Sequence, residues 1–546
     1  MFEKCGLSPF TSRGLNPMRA FKTLLILSHR YIGIPLSFMF VVWFVSAFFM
    51  IYTGGMPRVT PEMQVDGASP IDFTRVTLTP GQARDVVGYT SSNVSMRNLL
   101  GRPVYEFFEP GYDNTLVFAD TGEIVGALNE TQAARVASDF LSIPLEKFGY
   151  VGMIDAVDQW TLTQQSELPM HKFTAADGLG TEVYVSQNNA AISVYTTTQS
   201  RVLAWLGTIP HWLYFTSLRI NQPLWYDIVV WSAGLGCVMA LLGLCLGFTQ
   251  FRQSRPFQLA RSIPYQGLMR WHYILGVVFG LFTLTWVFSG LLSMEPYSWT
   301  NSQGVSYDPA VYAQGELDLA AFPVVTTYDW DVLGAGYEIK QVDFQWIGGQ
   351  PYLLASYSVP IDAKSEKRDR LHQPYNIAGQ SDAKSILINA NSGRLVTGFD
   401  QADLVTKLDN SIAEAVTEVT LLDNYDDYYY SRGGQLPLPA LRVKFDDPAQ
   451  SWIYVDPELS QVLTLVTKFS RVERWLYNGL HSLDFAFWYN KRPLWDIGVI
   501  ALLLGGLGTS MLGLYFGLRR LKLDTITLIH RLKGMTSVSK AVHANQ

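Results

Sequence analysis

Four apolar runs set the terms for what this chain can become. Residues 31–52, 226–250, 273–294 and 496–518 are long and carry almost no charge inside them. Each matches the roughly 20 apolar residues a helix needs to cross a bilayer. A charge at the hydrocarbon centre costs several kcal/mol, so a clean run is informative. Helices buried in a soluble core are the competing reading. Basic residues flank all four runs, which favours the membrane. The expected fold class is an integral membrane α-helical protein of four transmembrane helices with two large extramembrane segments. The first run is too long for a signal-peptide core and lacks a small-residue cleavage site, so it reads as an uncleaved anchor.

Charge gives the orientation. Residues 1–30 hold Lys4, Arg13, Arg19, Lys22 and Arg30 against Glu3, and the short 251–270 loop holds Arg252, Arg255, Arg261 and Arg270 with no acid. After the fourth run come Arg519, Arg520, Lys522, Arg531, Lys533 and Lys540 against Asp524. The two long loops are acidic. Basic segments stay inside, so both termini are expected in the cytoplasm and both long segments outside. The net charge of −6 masks this asymmetry and gives no surplus for binding nucleic acid. Cys5 is expected inside and Cys237 and Cys245 within the second run, so no disulfide holds the outer segments. No C-x-x-C-H occurs, which excludes covalent c-type haem attachment on that pattern.

The runs are related to one another. Residues 201–228 read RVLAWLGTIPHWLYFTSLRINQPLWYDI, and residues 471–497 read RVERWLYNGLHSLDFAFWYNKRPLWDI. At a spacing of 270 they match at Arg201/Arg471, Trp205/Trp475, Leu206/Leu476, His211/His481, Phe215/Phe485, Pro223/Pro493, Leu224/Leu494 and Trp225/Trp495. At a spacing of 243, His29/His272, Gly33/Gly276, Trp43/Trp286 and Ser46/Ser289 match. Four of the eight histidines therefore stand at equivalent places ahead of four apolar runs. Internal duplication is the economical reading.

The expected organisation is a cytoplasmic segment 1–28, spans 29–52, 223–250, 271–295 and 493–518, a loop 251–270 and a tail 519–546. Residues 201–222 and 471–492 are expected as interfacial helices, and 53–200 and 296–470 as outer domains. In the first domain, Thr79 and Pro80 before QARDVV have helix-start chemistry. Arg102–Gly126 reads strand, EPGYDN turn, strand, DTGE turn, and residues 167–196 repeat that theme. The second domain offers QPYLLASYSV, SILINANSGRLVTG and LPALRVKFDDPAQSWIYVDPELSQVLTLV. Small α+β modules in pairs, two in each outer segment, are expected. Asp423–Tyr430, DNYDDYYY, is expected as a polar loop with its tyrosines packed back on the domain; its spacing matches no calcium loop.

The strand units LVFADTGEIVG, ILINANSGRLVTG and WIYVDPELSQVL, the span starts HRYIG (His29 to Gly33) and HYILG (His272 to Gly276), and GLHSLDF followed by RPLWD (Gly479 to Asp496) carry a resemblance. In their order, over residues 29–518, the chain resembles the PepSY-associated transmembrane family. Members with an assigned role include bacterial inner-membrane ferric-siderophore reductases holding two b-type haems. The resemblance implies periplasmic PepSY-like domains, an inner-membrane location and haem.

Two opposed imidazoles saturate a haem iron. His29 and His272 open spans one and three on the cytoplasmic side; His211 and His481 precede spans two and four on the outer side. Symmetry and the family resemblance together point to two non-covalent bis-histidine b haems, one on His29 with His272 and one on His211 with His481. Arg201, Arg471, Arg30 and Arg270 lie near these histidines in sequence and are candidates for haem propionates, since Arg matches carboxylates bidentately. Membrane-flanking or surface charge is the alternative for each. His530 is expected on a surface helix, and His171, His372 and His543 are assigned no chemistry.

No G-x-G-x-x-G after a strand, G-x-x-x-x-G-K-[ST] or G-x-S-x-G is present. Electrons are then expected from a quinol or a separate cytoplasmic reductase. The leading expectation is a transmembrane reductase whose periplasmic acceptor is, by resemblance, a ferric siderophore. Two others stay open: a haem-free scaffold whose PepSY-like domains grip a protein partner, and a di-haem carrier to a protein acceptor.

Overall fold

Four helices run through the apolar segments: Pro17–Met50, Gln222–Gln250, Gly267–Leu292 and Leu494–His543. The computed structural model describes residues 17–543 apart from 54, 90, 111–113, 254–257, 299, 301–303, 361–380 and 432–435. Lys4, Cys5, Arg13, Arg255, His372, the tip of the EPGYDN turn and the side chains of Arg531, Lys533, Lys540 and His543 lie outside the described residues. All four helices are long and apolar enough to cross a membrane. Only 11–28% of each most apolar window is buried within the protein. Side chains such as Phe38, Trp231, Phe248 and Phe282 turn outward instead and form an exposed apolar surface.

The helices extend beyond the apolar runs. The first starts at Pro17, so His29 lies about 18 Å inside it at 1.5 Å per residue. The fourth continues unbroken from its span into the tail and carries an exposed His530. The segments 201–222 and 471–492 are not single helices. The first is cut into Thr198–Leu206, Thr208–Trp212 and Thr216–Arg219. The second runs through Lys468–Glu473, a π turn at Arg474–Gly479, Leu480–Ser482 and Ala486–Tyr489. Left-handed Leu213 (φ 53°) and Leu483 (φ 50°) end the histidine-bearing pieces, and a helix cannot pass through that conformation.

The chain divides into two units: a membrane unit of Met1–Val45, Tyr226–Pro296 and Leu476–Gln546, and an outer unit of Ser46–Trp225 and Tyr297–Trp475. In the membrane unit, glycines bring helices together. A methyl group on Gly236 would meet Val287 Cγ1 at 2.9 Å, and one on Gly506 would collide with the Phe44 ring. A methyl on Gly247 would meet Val277 at 2.8 Å, and one on Gly517 would meet Ile34 at 3.5 Å. Small residues allow this approach where no water drives helices together.

The first outer segment contributes β1 (Asn93–Leu99), β2 (Arg102–Phe108), β3 (Thr115–Phe118), β4 (Phe148–Ile154), β5 (Met170–Ala175), β6 (Thr181–Ser186) and β7 (Ile192–Thr196). The second contributes β8 (Ile339–Ile347), β9 (Gln350–Pro360), β10 (Ser381–Asn389), β11 (Arg394–Val396), β12 (Val416–Leu422), β13 (Ala440–Phe445), β14 (Trp452–Asp456) and β15 (Gln461–Val466). Two four-stranded antiparallel meanders form, β4-β5-β6-β7 and β12-β13-β14-β15. Each is covered by a helix. Ala133 and Ala137 of Glu130–Leu141 meet Phe173 and Val183, and Leu404 and Leu408 of Gln401–Ser411 meet Val443 and Ile453. The remaining strands of both segments join in one sheet, β11-β10-β9-β8-β1-β2-β3. The seam pairs Val94 with Phe344 and Arg97 with Gln341, antiparallel. Beneath it Met96, Tyr105, Phe107, Val342 and Phe344 are fully buried or nearly so. The outer segments therefore share a sheet instead of standing as separate pairs of modules.

Local sequence accounts for the element starts. Thr79 and Gln82 form a capping box ahead of Pro80–Val87, which stops at Gly88 with φ +81°. DNYDDYYY is a knot around one carboxylate. Asp426 accepts from the main-chain N–H of Tyr428 and Tyr429 at 2.8 and 2.7 Å, from Arg442 at 2.9 Å and from the Tyr454 hydroxyl at 3.0 Å. Tyr429 stacks on Tyr454 at 4.9 Å. Replacing Asp426 with Ala strands all four donors and should lower unfolding stability by about 3 kcal/mol, read by urea titration of tryptophan fluorescence.

Candidate functional site

His29, on the first helix, reaches the second: its Nδ1 lies 3.1 Å from the Met239 carbonyl. His272, on the third helix, reaches the fourth: its Nδ1 lies 3.2 Å from the Thr509 carbonyl. A carbonyl only accepts, so both rings carry their proton on Nδ1 and keep the Nε2 lone pair. Among the described residues neither Nε2 makes a hydrogen bond. Met239 and Thr509 are 270 apart, and the two histidines are 243 apart.

Glycine opens the way to these carbonyls. A side chain at position i+4 of a helix leans back over residue i. The residues four on from Met239 and Thr509 are Gly243 and Gly513. A methyl on Gly243 would meet His29 Cε1 at 2.9 Å, and one on Gly513 would meet His272 Cε1 at 3.5 Å. Sequence reasoning missed both. Their signal is the small-residue spacing Gly243/Gly247 and Gly513/Gly517, repeated 270 apart.

The other two histidines are held by serine. In the outer unit His211 Nδ1 lies 2.9 Å from Ser46 Oγ. In the membrane unit His481 Nδ1 lies 3.1 Å from Ser289 Oγ and 3.1 Å from the Trp286 carbonyl. Ser46 and Ser289, matched at the 243-residue spacing, thus each meet an imidazole. Both tryptophans of this motif face inward in the same manner: Trp225 Nε1 donates to Trp212 O and Trp495 Nε1 to Leu483 O, each at 2.9 Å.

The arginines are placed differently from the histidines. Arg201 donates to Thr196 Oγ1 and the Gly180 carbonyl at 2.8 Å and lies 3.5 Å from Glu182. Arg471 donates to the Gln450 carbonyl at 2.8 Å and covers the Trp452 ring at 4.2 Å. Both fasten a short helix to the end of a meander in the outer unit, which is a sufficient reason for them to repeat. Arg30 is exposed and Arg270 partly buried, and among the described residues neither forms an ion pair. His171 is structural: its Nε2 lies 2.9 Å from the Leu128 carbonyl and its Nδ1 3.2 Å from the Tyr150 hydroxyl.

No protein-family model matches the chain, and no curated protein matches it. The chemistry of the site therefore rests on its donor set. Among the described residues no group of three or more His, Cys, Asp or Glu side chains is arranged to hold a metal ion. A bis-histidine haem asks for less: two partly buried imidazoles, each with Nδ1–H anchored and Nε2 as the donor atom. His29 and His272 have that form, so the residues present fit the group.

A second feature lies in the outer unit. A cleft of about 420 Å³ opens on the polar face of the seven-stranded sheet. Ser95 of β1 sits between Glu106 of β2 and Asp343 of β8. Arg97 donates to Glu106 at 3.0 Å and to the Asn189 carbonyl at 2.8 Å, and Gln341 donates to Asp343 at 2.8 Å. Burial, reinforced by the Glu106 charge, pushes the Asp343 carboxyl up to about 6. The folded state thus binds that proton more tightly than the unfolded chain. Its contribution to stability is full below about pH 4 and declines until about pH 6, by roughly 2–3 kcal/mol. Asp343→Asn should remove this decline. The stability difference between variant and wild type should grow from pH 4 to 6 and then level off, measured by denaturant titration across that range.

Proposed function

We propose that this chain is a haem b membrane oxidoreductase, built from two copies of one half, that passes electrons across a bacterial inner membrane to a periplasmic acceptor. The observation that carries the reading is the anchored pair His29 and His272, each with Nδ1–H held by a main-chain carbonyl of the next helix and glycine clearing the approach. Haem bound between such imidazoles supplies reversible one-electron chemistry. His211 and His481 are assigned to the second haem on their equivalence in the 270-residue repeat alone.

The chain's own residues do the holding. The carbonyls of Met239 and Thr509 keep Nδ1 protonated and set each ring's rotation, which makes Nε2 a stronger donor. Neither Gly243 nor Gly513 places a side chain over these rings. The four helices are long and apolar enough to cross a membrane. By its resemblance to the PepSY-associated transmembrane family, the acceptor is a ferric siderophore: reduction lowers the charge on iron and loosens its hold on hard oxygen ligands. Electrons enter from a quinol or a separate cytoplasmic reductase. This reading places both termini in the cytoplasm and the outer unit in the periplasm, from the basic flanks of the spans. Lipid is the partner of the outward-facing apolar surface, and Arg201 and Arg471 serve the outer unit's structure.

The test is a reduced-minus-oxidised visible spectrum of the full chain, purified in detergent after expression with haem supplied. Sharp b-type bands at about two haems per chain are expected. His29→Ala and His272→Ala should each remove the same haem, and Gly243→Leu should do so with both histidines intact. A colourless protein would sink the proposal and leave a scaffold that grips a protein partner.

A further inference from the structure

Resting on the haem reading, the geometry points to Ser289 and Ser46 as positioning residues that hold His481 and His211 in the Nδ1–H form and at one ring rotation. Both serines are almost wholly buried, 0% and 1% exposed, on helices otherwise lined with apolar groups. A buried hydroxyl is costly unless its hydrogen bonds are made. Ser289 makes its donor bond inside its own helix, to the Trp286 carbonyl at 2.9 Å. That turns its lone pairs toward His481 Nδ1 at 3.1 Å, and the same Nδ1 lies 3.1 Å from the same carbonyl. Hydroxyl, carbonyl and imidazole N–H close a triangle, and the carbonyl fixes the tautomer. Gly290 keeps the ring's edge clear, since a methyl there would stand 3.4 Å from His481 Cε1. Ser46 meets His211 Nδ1 at 2.9 Å from the equivalent position, three residues beyond Trp43 as Ser289 is three beyond Trp286.

Among the described residues His29 and His272 have no such hydroxyl. The Thr509 side chain turns to the Gly505 carbonyl at 2.9 Å and leaves His272 to the main chain alone. The serines therefore mark His211 and His481 and not His29 and His272. An acceptor on Nδ1–H pushes electron density to Nε2 and favours the oxidised iron. Removing the hydroxyl should weaken that push and free the ring to rotate.

The experiment uses the full chain loaded with haem and compares Ser289→Ala, Ser46→Ala, Ser289→Thr and Ser46→Thr. It reads the low-spin ferric EPR lines and the midpoint potentials by spectroelectrochemistry. Each alanine variant is expected to shift one of the two low-spin signals and raise one midpoint, leaving the other haem unchanged, and each threonine variant to restore both. Loss of one haem in an alanine variant, recovered in the threonine variant, supports the same role. Alanine variants with wild-type lines and potentials overturn it, as does a haem loss that threonine does not recover. Wild-type protein without haem overturns the haem reading itself, and this inference falls with it.

Discussion

An imidazole N–H given to a main-chain carbonyl of a neighbouring helix is the interaction on which the membrane unit turns. In a helix each carbonyl already accepts from the N–H four residues on, and that next turn ordinarily shields it. A second donor arrives only where the shielding side chain is absent. Met239 with Gly243, and Thr509 with Gly513, satisfy this geometry. The same glycines draw the helices together, so close packing and ligand anchoring have one cause. At Gly243 even a methyl group would press on the His29 ring, at 2.9 Å from Cε1.

The outer unit follows a different logic. Its elements pack around buried apolar cores. Two helix-covered meanders supply separate cores, and a seven-stranded sheet joins the two halves of the sequence. Asp426 gathers several donors on one carboxylate, and Asp343 lies where a sheet face opens to a cleft.

Much of this was legible in the residue order. Hydropathy alone marked the four long apolar helices, because an uninterrupted apolar run of that length is itself the signal. The capping box at Thr79 and the strands after Arg102 and Met170 were legible because turn and cap chemistry is local. The histidines stood out by repetition. What they touch did not, because a carbonyl has no letter of its own. Arg201 and Arg471 show the converse hazard. They repeat beside the histidines in sequence, yet their guanidinium groups bond into strand ends, since repetition reports shared structure before it reports shared chemistry. The pairing of β1 with β8 had no local signal either, for strand partners so far apart in sequence are selected by the finished core.

That pairing has a consequence for how the protein is made. When synthesis has passed the second span, β1 has β2 on one side and nothing on the other. Its second edge waits until the third span and the strand beyond it have been delivered. An open edge is a template for unintended partners, and long-range pairing is slow. The two halves, however alike, are thus not two independent proteins joined end to end. The first half remains incomplete until the second arrives to close it.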